Sequence, residues 1–272
     1  MMARFAQRIV SLQPSATVTL AGLGALDRIV ACTRYCADVC PEVTERGISI
    51  VSDSWSAQAK QIIAARPDLV IASVPYQLEA VAEILKAGVR FLGLAPRTLA
   101  DIYLDMMTIA GAIGESTRGD GLVASMQSEI ATVRERTRDL AKSKVFCEEW
   151  GKPIIHSQPW VKELVEAAGG AFVGETGKQT TADAVRNGAP DVILAAWCGA
   201  GDRVPLEKII AHRGWNDTPA AQNRRVFCVS DELFNTPAQT LIGGLHAIAW
   251  ALHPEHFPRP NGIRRIGEDR NV

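Results

Sequence analysis

The segment ADIYLDMMTIAGAIGESTRGDGLVASMQSEIATVRERTRDLAKSK, from Ala100 to Lys144, contains no proline and divides the chain in two. Ile102, Met106, Ile109, Ala110 and Ile113 recur at helical spacing, and Leu122, Met126, Ile130, Val133 and Leu140 carry the period on. The spacing predicts one long helix, weakened at Gly111, Gly114, Gly119 and Gly121, since an interior glycine costs about 1 kcal/mol against alanine. From Glu129 to Lys144 acids and bases alternate, which suits a solvated face. At about 1.5 Å per residue, such a helix is long enough to act as a strut between two lobes.

The flanks of this segment are built alike. On its N-terminal side, short apolar runs at Arg8–Leu12, Ile29–Thr33, Ile48–Val51, Leu69–Ala72 and Val89–Leu94 alternate with helical patterns through Leu26, over Ser56–Ala65 and over Gln77–Ala87. On its C-terminal side, strands at Lys144–Glu148, Val192–Ala195 and Arg225–Val229 alternate with helices at Trp160–Ala168, Thr181–Asn187, Leu206–His212 and Ala238–Leu252. Strands alternating with helices imply right-handed crossovers and parallel sheets. Pro67-Asp68 and Pro190-Asp191 each lead into an apolar strand, a weak internal repeat consistent with two lobes of similar build. The fold class expected is α/β. It comprises an N-terminal lobe over 8–99, a connecting helix over 100–143, a C-terminal lobe over 144–252 and a loose tail over 253–272.

With 272 residues, 47% apolar and 22% charged, the chain can build two cores. A formal net charge of −1 offers no general attraction to nucleic acid or anionic membranes. No apolar run reaches the ~18 residues of a membrane span. Met1–Gln7 lacks the basic region, apolar core and cleavage site of a leader, so the expectation is a cytoplasmic protein, or a periplasmic one whose leader has been removed. A monomer is expected. The six cysteines sit partly in core strands, as Cys147 and Cys228 do, and suggest no disulfide scaffold.

In open parallel sheets ligands bind beyond the carboxyl ends of strands. Trp55, Tyr76, Trp150, Trp160 and Trp197 all fall in the segments expected there, which suits a large, flat ligand. Asp68-Leu69-Val70-Ile71-Ala72 after a helix, Ala168-Gly169-Gly170, the second Pro-Asp strand and Ser230-Asp231 before a long helix resemble the cobalamin-binding members of the helical-backbone (class III) solute-binding proteins of ABC importers. The resemblance covers Arg8 to about Leu252 and implies capture of a corrinoid between the lobes, with no catalysis and no cofactor besides the ligand.

Carried over by position, the resemblance assigns the ring and its amides to Trp55 and Asp231 and the pocket floor to Pro14, Ser15 and Thr17. A second pocket tryptophan of the family falls at Ser73, with Tyr76 nearby as substitute, and an arginine after the Ser-Asp motif is replaced by Asn235. The permease-docking glutamates fall at Lys60, reversed in charge, and Asp183. An iron–siderophore or haem carrier is the alternative within binding proteins.

Other chemistries have thinner support. Cys32, Cys36 and Cys40 form C-x-x-x-C-x-x-x-C, which could align thiolates for a soft metal, but no fourth ligand is evident. Cys36 and His156 are each placed in a pocket loop, where either could meet a bound cobalt. The other histidines have no zinc-site spacing. There is no G-x-G-x-x-G after a strand, no Walker loop and no G-x-S-x-G elbow. Glu148 and Glu149 are adjacent carboxylates at a strand end, but neighbours in a strand face opposite ways. The acidic pair is expected to accept hydrogen bonds from ligand amides or to cap a turn, and Glu149 is counted among the ligand contacts. An enzyme or redox protein using Cys36 and Glu149 is the rival of another class.

Overall fold

The computed structural model describes residues 5–268. The first four residues of the Met1–Gln7 segment lie outside them, as do the last four residues of the tail. The chain divides into two compact units, with the boundary between Ser125 and Met126.

The first unit alternates strands and helices from Ile9 on: β1 (Ile9–Ser11), α1 (Pro14–Gly22), β2 (Ile29–Thr33), α2 (Arg34–Val39), α3 (Glu42–Glu45), β3 (Ser49–Val51), α4 (Ala59–Ala64), β4 (Leu69–Ser73), α5 (Leu78–Lys86) and β5 (Arg90–Leu94). The five strands form one sheet in the order β3-β2-β1-β4-β5, parallel throughout. Alternate residues serve opposite faces. Ile9, Leu69 and Ile71 pack with Leu20, Leu23 and Ile109 on one side, while Val10, Val70 and Ala72 pack with Ile62 and Ile84 on the other.

Two helices follow, α6 (Leu99–Ile113) and α7 (Ser116–Thr137). A capping box starts α6: Thr98 Oγ1 accepts from the Asp101 N–H, and the Asp101 carboxylate accepts from the Thr98 N–H. The single helix expected over 100–143 is therefore two, and the second ends six residues early. Gly114 makes the break. It sits at φ +79°, and the Glu115 N–H turns back to the Ala110 carbonyl at 2.8 Å. A side chain at Gly114 would also strike the Phe5 ring. Glu115 is then held by Arg28 at 3.1 Å. Gly119 acts differently: its missing Cβ lets α7 lie against Ala110 and Met107.

The second unit contains β6 (Lys144–Gly151), β7 (Ile154–His156), α8 (Pro159–Ala167), β8 (Ala171–Phe172), β9 (Gln179–Thr180), α9 (Ala182–Gly188), β10 (Val192–Ala195), α10 (Leu206–His212), α11 (Pro219–Gln222), β11 (Val226–Val229), α12 (Glu232–Asn235), α13 (Leu241–Leu252) and β12 (Ile263–Arg265). Its sheet runs β12-β11-β10-β6-β7-β9, with β8 beside β6. β11, β10, β6 and β8 are parallel, while β12, β7 and β9 join antiparallel. This sheet is thus mixed rather than parallel. The tail expected to be loose contributes a strand instead, because β12 pairs with β11 and buries Arg264, which donates to the Val204 carbonyl.

The Pro-Asp repeat has a physical basis. Asp68 precedes β4 and accepts from the N–H groups of Gln7 and Arg8, just before β1. Asp191 precedes β10 and accepts from the Lys144 N–H at the head of β6. In both units the aspartate N–H also donates to the carbonyl of that neighbouring strand, at 2.8 Å. One residue type sets the register of the same central pair in each unit.

Candidate functional site

In the second unit, the ends of β6 and β10 carry Trp150 and Trp197, and α10 faces them across a pocket of about 530 Å³. The turn between β6 and β7 fixes Trp150, whose indole N–H donates to the Lys152 carbonyl at 3.0 Å while the residue stays 45% exposed. Trp197 lies where a side chain on residue 151 would be; a Cβ there would fall 2.2 Å from the indole ring. Arg213 stands behind this wall. Its guanidinium pairs with the buried Glu148, donates to the Gly151 carbonyl and lies 4.8 Å from the centre of the Trp215 ring. Burial pushes the Glu148 carboxyl up, and Arg213 draws it back down.

Glu149 points to the other side of the strand, where the Gln158 amide donates to it at 2.7 Å. Burial raises its carboxyl above the usual range against the pull of that donor. Asp231, expected to meet the amides of a ligand, has partners within the chain. Its two oxygens accept the Gly199 and Gly201 N–H groups, each at 2.8 Å, and so fix the loop that follows Trp197. Asn235, expected as a replaced arginine, donates to the Ala196 carbonyl beneath the same loop.

In the first unit, Trp55 is 47% exposed after β3, and its ring centre lies 5.4 Å from that of Tyr35 on α2. The Gln77 amide donates to the Trp55 carbonyl. Beside it the hydroxyl of the buried Ser54 and one Asp53 oxygen have no hydrogen-bond partner among the described residues. Burial raises the Asp53 carboxyl, opposed by Arg34. Val74 and Leu78 are exposed apolar neighbours of this loop. Pro14 lies at the first turn of α1, half-buried.

Several expected contacts are instead structural. Thr17 is fully buried and donates to Ser11 Oγ, while Ser15 is buried with its carbonyl accepting from Thr19. Cys36 lies on α2, not in a loop, and is buried against Thr33 and the Ser11 carbonyl. Cys32 and Cys40 are buried in the same core. Among the described residues no group of three or more His, Cys, Asp or Glu is arranged to hold a metal ion. Tyr76 ties its hydroxyl to the Leu94 carbonyl and packs edge-on against Phe91. Ser73, at the position of the second family tryptophan, is buried. Trp160 sits in the first turn of α8, 8% exposed, and its indole N–H donates to the Phe234 carbonyl at 2.8 Å. His156, expected in a pocket loop, closes β7 and is buried against Phe146 with Nδ1 3.0 Å from the Lys178 carbonyl. Lys60 and Asp183 are both exposed, on α4 and α9.

The sequence reading did not single out Lys208 or Arg213, and it placed Tyr35 at a strand end without pairing it with Trp55. Tyr35 and Arg213 are singled out by packing partners distant in sequence, Trp55 and Glu148. Lys208 had a signal, since it lies one helical turn before His212 in a recognised helix.

The model of the family described as periplasmic binding protein matches residues 9–233. An uncharacterised ABC transporter substrate-binding lipoprotein of Bacillus subtilis is 26% identical, over 92% of this chain and 81% of its own length. The vitamin B12-binding protein of Vibrio campbellii is 24% identical, over 93% of this chain and 90% of its own. The crystal structure of a periplasmic haem-binding protein from Pseudomonas aeruginosa superposes with a TM-score of 0.85 at 16% identity, covering 98% of this chain and 100% of that one, and so shares the fold. With its family model matched from the first strand to beyond Asp231, the chain belongs to the periplasmic binding protein family, with the class III fold of the solute-binding proteins of ABC importers.

Proposed function

We propose that this chain is a non-catalytic binding protein that captures a tetrapyrrole, a corrinoid such as cobalamin being the first reading. The observation that carries it is the pocket walled by Trp150 and Trp197 at the carboxyl ends of two parallel strands. Flat apolar walls at that place suit the face of a macrocycle. In the first unit the exposed Trp55, beside the half-buried Tyr35, offers a second aromatic contact. The Vibrio campbellii relative, named for vitamin B12 binding, supports the corrinoid. Haem is the second reading, supported by the fold shared with the Pseudomonas aeruginosa protein. As a substrate-binding protein it would serve an ABC permease, meeting it with a lysine at residue 60.

The test is titration of the protein with cyanocobalamin, dicyanocobinamide and haemin, following ligand absorbance and tryptophan fluorescence. Saturable quenching that weakens at least tenfold in Trp150→Ala is expected for one of them. Absence of saturable binding by all three would overturn the reading.

A further inference from the structure

The pocket beside α10 has an uneven charge. Four of its lining side chains are basic (Lys152, Lys208, His212 and Arg213) and none is a carboxylate. The nearby acids are committed elsewhere. Glu148 is consumed by Arg213, Glu149 by Gln158, and Asp231 by the N–H groups of Gly199 and Gly201. Glu207, adjacent to Lys208, turns away and accepts from the Gly267 N–H. Arg213 in turn spends its charge on Glu148. Besides the His212 imidazole, two ammonium groups remain, one on the β6–β7 turn and one on α10, both exposed and bordering the tryptophan walls.

We infer that this pocket takes a flat ring bearing an oxyanion, with Trp150 and Trp197 against the ring and Lys152 and Lys208 on the anion. The inference rests on the pocket being part of the tetrapyrrole site proposed above and names the chemistry that site selects. A phosphodiester tail on a corrinoid and the carboxylates of a haem supply the same group. Ammonium groups beside a low-dielectric wall attract it, and salt screens that attraction. Two exposed lysines of this kind are worth about two- to thirtyfold in affinity together.

The experiment compares matched pairs on the wild type and on Lys152→Gln/Lys208→Gln, at low and high salt. The pairs are cyanocobalamin with dicyanocobinamide, which lacks the phosphodiester; haemin with its dimethyl ester; and 1-pyrenecarboxylate with 1-pyrenemethanol. The wild type is expected to favour the oxyanion-bearing member of whichever pair binds, less so at high salt, and the double variant to lose that preference while keeping affinity for the member without the oxyanion. The first two pairs tell phosphate from carboxylate. Equal affinity for both members in the wild type would overturn the inference and leave the tetrapyrrole reading intact. Failure of every tetrapyrrole, with the pyrene carboxylate still preferred and sensitive to the lysines, would overturn the tetrapyrrole reading alone. Failure of all three pairs would overturn both.

Discussion

The two carboxylate oxygens of Glu148 each lie 2.8 Å from a guanidinium nitrogen of Arg213, and Glu148 is fully buried. The same guanidinium reaches the Gly151 carbonyl, so one side chain joins α10 to the strand that carries Trp150. Losing one partner leaves a buried charge uncompensated, which costs about 3–5 kcal/mol. Arg213→Ala is expected to destabilise the second unit by an amount in that range, measured by urea unfolding. Arg213→Lys should recover part of the loss, because lysine keeps the charge without the planar fork.

Glu149 predicts a pH dependence. Burial lifts its carboxyl above the usual carboxylate range, so the folded chain holds this proton more tightly than the unfolded chain does. Its contribution to stability is therefore greatest below the unfolded carboxylate value and is lost as pH rises through the raised folded value. Glu149→Gln removes the charge that burial penalises, and glutamine can still accept from Gln158. The variant is expected to melt at or above the wild-type temperature at pH 7, with a smaller difference at pH 4. A lower melting temperature at pH 7 would contradict this account.

The alternation of strand and helix was legible in the sequence because the buried parallel strands are short apolar runs, several of them ended by proline or serine, as β1, β4 and β11 are. The Pro-Asp repeat was also visible, although the contacts it makes with Arg8 and Lys144 are long-range. Helix-periodic residues continue on both sides of Gly114, so the pattern showed no break. The break depends on a left-handed glycine facing Phe5, more than a hundred residues away. The antiparallel strands β7, β9 and β12 are two or three residues long, too short to give a periodic signal. At the site, residue type marked Trp55, Trp150 and Trp197, yet it could not separate them from Trp160 or Tyr76. Those two differ in tying their polar atoms to carbonyls distant in sequence, at Phe234 and Leu94, whereas Trp150 reaches only the carbonyl two residues on.

Trp160 and Trp150 therefore separate stability from binding. Trp160→Phe keeps most of the ring but leaves the Phe234 carbonyl without its indole donor, a loss of about 1–3 kcal/mol. Ligand affinity in the folded variant is expected to stay within about twofold of wild type. Trp150→Phe, half-exposed, should leave the melting temperature nearly unchanged and lower affinity instead. Thermal unfolding and titration on the same two proteins check both halves. Equal affinity losses would return Trp160 to the ligand site.

Gly151 tests whether Trp197 forms the pocket wall. A methyl group at residue 151 would lie 2.2 Å from the indole carbon Cζ2, far inside van der Waals contact. The ring must then move, and the room available to it is the pocket. Overpacking of this kind costs about 1–3 kcal/mol. Gly151→Ala is expected to stay folded, to shift the tryptophan emission and to weaken ligand binding at least tenfold. Pairing it with Trp197→Ala isolates the clash. With the ring removed, alanine at residue 151 has nothing to displace, so the double variant should be no less stable than Trp197→Ala alone. An added destabilisation in the double variant would place the strain in the backbone of the β6–β7 turn instead.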